Sequence, residues 1–170
     1  LDTYDGIVAA IGATASASMN ALFPSSATNS LSAQLKMVAR MIEQQATFGM
    51  KRQVFMVGMG GFDLHDFLAT QHPPLLQKLS SAMKEFDDAM TSLGKGSQVT
   101  AFTASDFGRT LTSNGDGSDH GWGSHHFVMG GAVNGGKFLG TAPEIGLTHN
   151  QQVGSGRLLP STAVDRLGAE

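Results

Sequence analysis

Three clusters of acidic and basic side chains each lie beside a short apolar run, and they are the part of the sequence that could carry chemistry. The clusters comprise Asp63, His65 and Asp66; Ser105, Asp106 and Arg109; and Asp119, His120, His125 and His126. Carboxylates and imidazoles are the ligands that suit zinc, manganese and similar ions. Asp63 and His65 are two residues apart, so an extended backbone places both side chains on one side. A second carboxylate and a second histidine from neighbouring loops would complete four ligands.

Each cluster also has a simpler interpretation. Asp63 and Asp106 could be turn or helix-capping residues, because aspartate bonds readily to nearby backbone N–H groups. Arg109 has a planar guanidinium that can clamp an anionic oxygen, but it could instead form a structural ion pair with Asp106 or Asp116. No single cluster is specific, whereas three clusters at equivalent strand ends favour a functional site.

Helices are predicted from the spacing of apolar residues. A stripe at helical spacing over residues 31–42 predicts one helix, with Asn29 or Ser30 as its cap. A second stripe over residues 79–93 predicts another, preceded by Pro73 and Pro74 and ended by Gly94. A helix rich in small residues is predicted over residues 6–23.

Short apolar runs predict strands at residues 53–57, 99–103 and 127–129. A strand, helix and strand in succession imply parallel pairing and an α/β layered fold. In such sheets, ligands collect beyond the carboxyl ends of the strands. The polar clusters fall at these ends, so the fold itself would bring them together.

Composition narrows the classes of function. The chain has 170 residues, which suits one domain, with a net charge of -3 and only 15% charged residues. A basic face for nucleic acid is therefore not expected. Cysteine is absent, which excludes thiolate ligands and a cysteine nucleophile, and no apolar run is long enough to span a bilayer. Because the chain starts at Leu1 rather than at methionine, we expect it to be a piece of a longer protein.

Five short motifs follow one another over roughly residues 53–166. They are Gly-Gly-Phe-Asp-Leu-His at 60–65, Thr-Ala-Ser-Asp-Phe-Gly-Arg-Thr at 103–110, Asp-His-Gly-Trp-Gly at 119–123, Gly-Gly-Ala-Val at 130–133 and Gly-Arg-Leu-Leu-Pro-Ser-Thr at 156–162. In order and spacing they resemble the signatures of a large bacterial family, domain of unknown function 1501.

The resemblance implies a fold and a location. Members of that family are typically exported by the twin-arginine route and look like distant relatives of the alkaline phosphatase and sulfatase superfamily. The chain would then be a periplasmic or extracellular α/β protein, a three-layer α/β/α sandwich with a mostly parallel sheet. Residues 1–170 would form the C-terminal part of one larger domain, helical over residues 1–50 and α/β over residues 51–170. The sheet would be incomplete here, and its exposed edges imply that the chain either belongs to a larger ordered protein or self-associates as a homo-oligomer.

The resemblance also implies a ligand set for a divalent metal ion such as zinc. Asp63 and His65 match an acid and a histidine that bind one metal in the superfamily, and His120 looks like the distal histidine of the same metal. Asp106 matches the acid of a second metal. The superfamily usually has a histidine directly after that acid, and Phe107 stands there in this chain.

The chemistry implied is hydrolysis of phosphate or sulfate esters by a metal-activated nucleophile. Arg109 would bind the small anionic ester, and the nucleophile would lie upstream of Leu1. The alternative is a non-catalytic exported domain that keeps the fold and a metal or polar cluster for stability or partner binding, and Phe107 favours this alternative.

Overall fold

The computed structural model describes residues 5–6, 8–9, 12, 17–146 and 148–163. The chain divides into two compact units. The first consists of Leu1–Gly60 with Pro74–Val99, and the second consists of Gly61–Pro73 with Thr100–Glu170. That residues 1–170 belong to one larger domain stays a prediction.

The first unit is built from helices. They are α1 (Ala17–Ala21), α2 (Ser30–Glu43) and the greater part of α3 (Leu68–Ser92), with 3-10 turns at Pro24–Ala27 and Gly96–Gln98. The apolar stripe predicted for α2 is confirmed, because Leu31, Leu35, Val38 and Ile42 are all buried. Of the helix predicted over residues 6–23, α1 is described, and much of the remainder lies outside the described residues.

Two buried polar side chains, Asn29 and Glu85, connect segments of the first unit by hydrogen bonds. Asn29 caps α2, as predicted, because its Oδ1 accepts a hydrogen bond from the Leu31 N–H at 3.2 Å. Its Nδ2 donates to the carbonyl of Lys78 at 2.8 Å. Glu85 is buried on α3, and its carboxylate accepts hydrogen bonds from the Ser25 N–H at 3.0 Å and from the Ser32 hydroxyl. Buried polar groups stabilise a fold only when they are paired in this way.

The second predicted helix is confirmed, but it begins earlier than the sequence indicates. α3 starts at Leu68, so Pro73 and Pro74 lie in its second turn rather than at its first residue. Gly94 has a φ of 65° and follows the end of α3, as predicted. Glycine suits this left-handed position because it carries no Cβ.

The predicted three-layer α/β/α sandwich with a mostly parallel sheet is wrong. In the described residues the strands form antiparallel two-stranded sheets. The pairs are β1 (Ala101–Phe102) with β4 (Val128–Met129), β2 (Gly108–Ser113) with β3 (Ser118–Gly121), and β5 (Gln152–Val153) with β6 (Arg157–Leu158). The strands predicted at residues 99–103 and 127–129 are found as the shorter strands β1 and β4. These two strands pair with each other, and they run antiparallel. Local sequence shows that a segment is extended, whereas pairing direction depends on distant contacts.

The strand predicted at residues 53–57 is not found. The segment is not assigned to a strand, and the side chains of Val54 and Met56 are 98% and 100% exposed. Instead of a neighbouring strand, the side chain of Gln34 bonds both the N–H and the carbonyl of Gly58, at 3.0 and 2.8 Å. Among the helices that the structure describes, none is long and apolar enough to cross a bilayer.

We predict that Asn29→Ala lowers the free energy of unfolding by about 1–2 kcal/mol, the usual effect of losing a helix cap. The substitution removes both the cap of α2 and the bond to the Lys78 carbonyl. Thr28→Ala is the matched control, because the Thr28 hydroxyl makes only an exposed local bond at 3.4 Å. Urea denaturation of both variants tests this, and equal losses in the two would contradict it.

Candidate metal centre

A β-hairpin in the second unit carries half of the candidate site. In the β2–β3 register, Arg109 lies opposite His120 and Gly108 lies opposite Gly121. Opposite residues in a β-pair project from the same face, so Arg109 and His120 are neighbours. Gly108 has no room for a side chain, because a Cβ there would lie 1.9 Å from the carbonyl oxygen of Gly123.

The loop that follows Gly61 carries the other half. Leu64 is 5% exposed, whereas Asp63 and His65 on either side of it are exposed. The Leu64 N–H donates to the Phe62 carbonyl at 3.0 Å, so the loop turns tightly here, and with Leu64 buried both polar side chains face solvent. Asp116 ties the end of this loop, because its Oδ1 accepts the Phe67 N–H at 2.8 Å.

The loop and the hairpin approach each other through Gly117. A Cβ built on Gly117 would lie 2.2 Å from the carbonyl oxygen of His65 and 2.6 Å from that of Leu64. Ser118, the next residue, donates its N–H to the Leu64 carbonyl at 3.4 Å. The absence of a side chain at Gly117 therefore lets the backbone of His65 lie directly against the hairpin.

One carboxylate oxygen is the centre of the resulting cluster. Three nitrogen atoms lie around Asp63 Oδ1: His120 Nε2 at 2.7 Å, Arg109 Nη1 at 2.9 Å and His65 Nε2 at 3.1 Å. The Asp63, His65 and His120 side chains are 56%, 45% and 49% exposed, whereas Arg109 is only 21% exposed. The cluster is thus open to solvent on the histidine side.

The charges around Asp63 act on its protonation. The hydrogen bond from His120 lowers the pKa of the Asp63 carboxyl below the ordinary aspartate value of 3.8, and the bond from Arg109 adds to this. Partial desolvation opposes the change, and the charges of His120 and His65 reinforce it. Asp63 is therefore an anion throughout the physiological pH range.

These side chains form a donor set that fits a divalent transition-metal ion. One ligand atom from each of Asp63, His65 and His120 lies within 4.8 Å of the others. Zinc binds such atoms at about 2.0–2.2 Å in tetrahedral geometry, which separates ligand atoms by about 3.4 Å. The distances of 2.7 and 3.1 Å from Asp63 Oδ1 to the two Nε2 atoms are close to that separation. A small outward movement of the imidazoles would make room for an ion.

Of the residues singled out from the sequence, the structure brings together Asp63, His65, Arg109 and His120, but it leaves Asp106 outside the group. Asp106 is exposed. The segment that enters β2 alternates, so Arg109 shares a side with Phe107 rather than with Asp106. Accordingly, the Arg109 guanidinium carbon lies 5.7 Å from the centre of the Phe107 ring.

Two side chains at the site make contacts that the sequence did not indicate: Phe107, and Asp119 of the third polar cluster. The Phe107 ring stacks on the His120 imidazole with centroids 4.0 Å apart and planes 5° from parallel. Asp119 Oδ1 lies 3.4 Å from His65 Nδ1. The only sequence signals for these roles were the position of Phe107 two residues before Arg109 and that of Asp119 next to His120.

Comparison with known families identifies the chain. The model of the family described as "Protein of unknown function (DUF1501)" matches residues 9–170. The chain belongs to the DUF1501 family. The family resemblance seen in the motifs is therefore confirmed, and the cluster around Asp63 Oδ1 lies within the matched region of this DUF1501 member. Comparison with curated proteins and with solved structures gave no significant match.

In this DUF1501 chain we predict that the pKa of the Asp63 carboxyl lies below 3.8. The hydrogen bond from His120 is the largest cause of the lowering, so His120→Ala should move this pKa back toward 3.8. Ionised Asp63 favours the folded state at pH values above 3.8, and this contribution is lost as the pH falls through the lowered value. Carbon-13 NMR of the side-chain carboxyl measures the titration. His125→Ala is the control and should leave it unchanged, whereas an ordinary value in the wild type would contradict the cluster.

Gly117→Ala tests the approach of the two backbones in the same DUF1501 chain. An added Cβ would meet the backbone of His65 and Leu64, so the loop must move away from the hairpin and His65 must leave Asp63. We expect a loss of about 1–3 kcal/mol in stability, typical of overpacking. Gly135→Ala is the control, because the nearest atom to its added Cβ is 4.0 Å away. Equal stability of the two variants by thermal denaturation would show that the approach is not tight.

Proposed function

We propose that this DUF1501 chain binds one divalent transition-metal ion, such as zinc, through Asp63, His65 and His120, and that the site serves hydrolysis of phosphate or sulfate esters. The observation that carries this proposal is the convergence of one carboxylate and two imidazoles, each with a ligand atom within 4.8 Å of the others. A carboxylate with two histidines is a ligand set found in catalytic metal sites.

The exposure of the cluster supports a catalytic rather than a structural site. Structural zinc sites have four protein ligands, whereas catalytic sites have three and keep one position open. Here the three side chains are about half exposed, at 45–56%, so a small ligand can reach the cluster from solvent. A divalent ion held there would supply Lewis acidity, which polarises an ester oxygen and lowers the pKa of water.

Arg109 contributes a fixed positive charge to this site. Its Nη1 bonds Asp63 at 2.9 Å and its Nε donates to the Ser118 hydroxyl at 3.1 Å. These bonds hold the guanidinium beside the ligand atoms, where its charge would favour a phosphate or sulfate ester over a neutral one. The Nη2 of Arg109 makes no hydrogen bond, but it is buried, so we assign Arg109 an electrostatic role first.

Phe107 limits what can approach His120. Because its ring covers one face of the imidazole at 4.0 Å, the ring of His120 is held in one plane and its Nε2 points toward Asp63. Ser118 does not suit the role of nucleophile, because it is buried and its hydroxyl accepts from Arg109. The proposal therefore assigns no nucleophile in the described part of the chain.

A second candidate function is metal binding without catalysis. Two observations favour it: the donor of Arg109 that has no hydrogen-bond partner, Nη2, is buried, and among the described residues Asp106 stays outside the three-residue group. Export to the periplasm or cell surface, a small anionic ester as substrate, and self-association are further parts of the proposal that the motifs suggest.

We predict that the protein binds one zinc ion per chain. Asp63→Ala or His120→Ala should weaken zinc binding by about 100-fold or more. Loss of a residue that only hydrogen-bonds a metal ligand usually weakens binding by about 10- to 100-fold. Isothermal titration calorimetry measures stoichiometry and affinity. Asp106→Ala is the matched control, because Asp106 is an exposed aspartate of the same unit outside the group. Equal zinc affinity in all four proteins would remove the metal proposal.

Hydrolysis of chromogenic aryl phosphate and aryl sulfate esters by the full-length protein distinguishes the two candidate functions. A catalytic site predicts turnover that requires added zinc or manganese and disappears in His120→Ala. Zinc binding with wild-type stoichiometry but no turnover of either ester would favour the non-catalytic function.

A further inference from the structure

A second carboxylate faces the far side of the His65 ring. His65 Nε2 lies 3.1 Å from Asp63 Oδ1, and His65 Nδ1 lies 3.4 Å from Asp119 Oδ1. The imidazole is thus held between two carboxylates, one at each ring nitrogen. Asp119 is not among the three residues that converge as candidate ligands, so its position calls for a different role.

The role follows from the chemistry of imidazole. A neutral imidazole has one nitrogen with a hydrogen and one with a free lone pair, and only the second can bind a metal. If Nδ1 of His65 carries the hydrogen and donates it to Asp119, then Nε2 has the lone pair and points to the side of Asp63 and His120. The distance of 3.4 Å is slightly longer than the about 2.7–3.2 Å of a typical N–H···O bond. Binding of an ion to Nε2 would leave the hydrogen on Nδ1, where it faces Asp119.

The hairpin places the Asp119 carboxylate independently of His65. Asn114 Nδ2 donates to Asp119 Oδ1 at 3.1 Å, and the Asp119 N–H donates to the Thr110 hydroxyl at 3.2 Å. Thr110 is buried on β2. Both bonds come from within the hairpin, so the position of Asp119 does not depend on the loop with His65.

We propose that Asp119 is a positioning residue that fixes His65 with its hydrogen on Nδ1 and its lone pair on Nε2. This inference rests on the proposed metal function of Asp63, His65 and His120. A carboxylate that accepts the second N–H of a ligand histidine sets the tautomer and ring orientation and raises the basicity of the ligand. Asp119 acts through His65 and does not itself touch the ion.

Zinc affinity is the first test. We expect Asp119→Ala to weaken zinc binding about 10- to 100-fold, as the loss of such partners usually does. Asp66→Ala is the matched control, because it removes the same charge from an exposed aspartate directly next to His65. Asp119→Asn keeps an acceptor oxygen and should lie between the wild type and Asp119→Ala. Equal affinities for Asp119→Ala and Asp66→Ala would overturn the inference.

The tautomer of zinc-bound His65 is the second test. Long-range ¹H–¹⁵N NMR of the zinc-bound protein reports which ring nitrogen of His65 carries the hydrogen. In the wild type and in Asp66→Ala we expect the hydrogen on Nδ1, whereas in Asp119→Ala we expect part of the His65 rings to bind zinc through Nδ1 and to carry the hydrogen on Nε2. An unchanged tautomer would overturn the inference, whereas absence of zinc binding in the wild type would overturn the proposed function instead.

Discussion

The candidate site depends on one close approach between two stretches of backbone. The hairpin β2–β3 and the loop that carries Asp63 and His65 lie against each other at Gly117, where a side chain would overlap the carbonyl of His65. The second unit buries little apolar surface with which to impose such a contact, since Leu64 is the buried apolar side chain among its described residues. Its packing therefore relies on glycines and on backbone hydrogen bonds, and Leu64 provides the hydrophobic anchor that turns its two polar neighbours outward.

The approach places a negatively charged oxygen among nitrogen atoms of three side chains. A single oxygen of Asp63 faces three nitrogen atoms, from His120, Arg109 and His65. Together they keep the carboxylate ionised, and the lowered pKa of Asp63 is the consequence. A metal cation at this point would accept lone pairs from the Asp63 carboxylate and from the imidazoles of His65 and His120. Arg109 shares the same oxygen, so a metal ion bound there would lie close to the guanidinium.

The sequence predicted the helices better than the sheet. Apolar spacing and Asn29 predicted α2 with its cap, because helices are determined by contacts within a few residues. The parallel sandwich was wrong because residues 53–57 have no strand partner and β1 pairs antiparallel with β4, and neither fact is local. At the site, the pairing of Asp63 and His65 followed from a two-residue period, whereas the role of Phe107 and the exclusion of Asp106 depended on how the chain enters β2. Arg109 was expected to bind an anion or to pair with Asp106 or Asp116, and its partner proved to be Asp63, 46 residues away.

Asp63, His65 and His120 must meet at one point if they are to hold a metal ion. X-ray diffraction from crystals grown with zinc, recorded at the zinc absorption edge, locates the ion. We expect one anomalous peak per chain at about 2.0–2.2 Å from a carboxylate oxygen of Asp63 and from Nε2 of both histidines. A structure in which these side chains point away from one another, with no zinc between them, would contradict it.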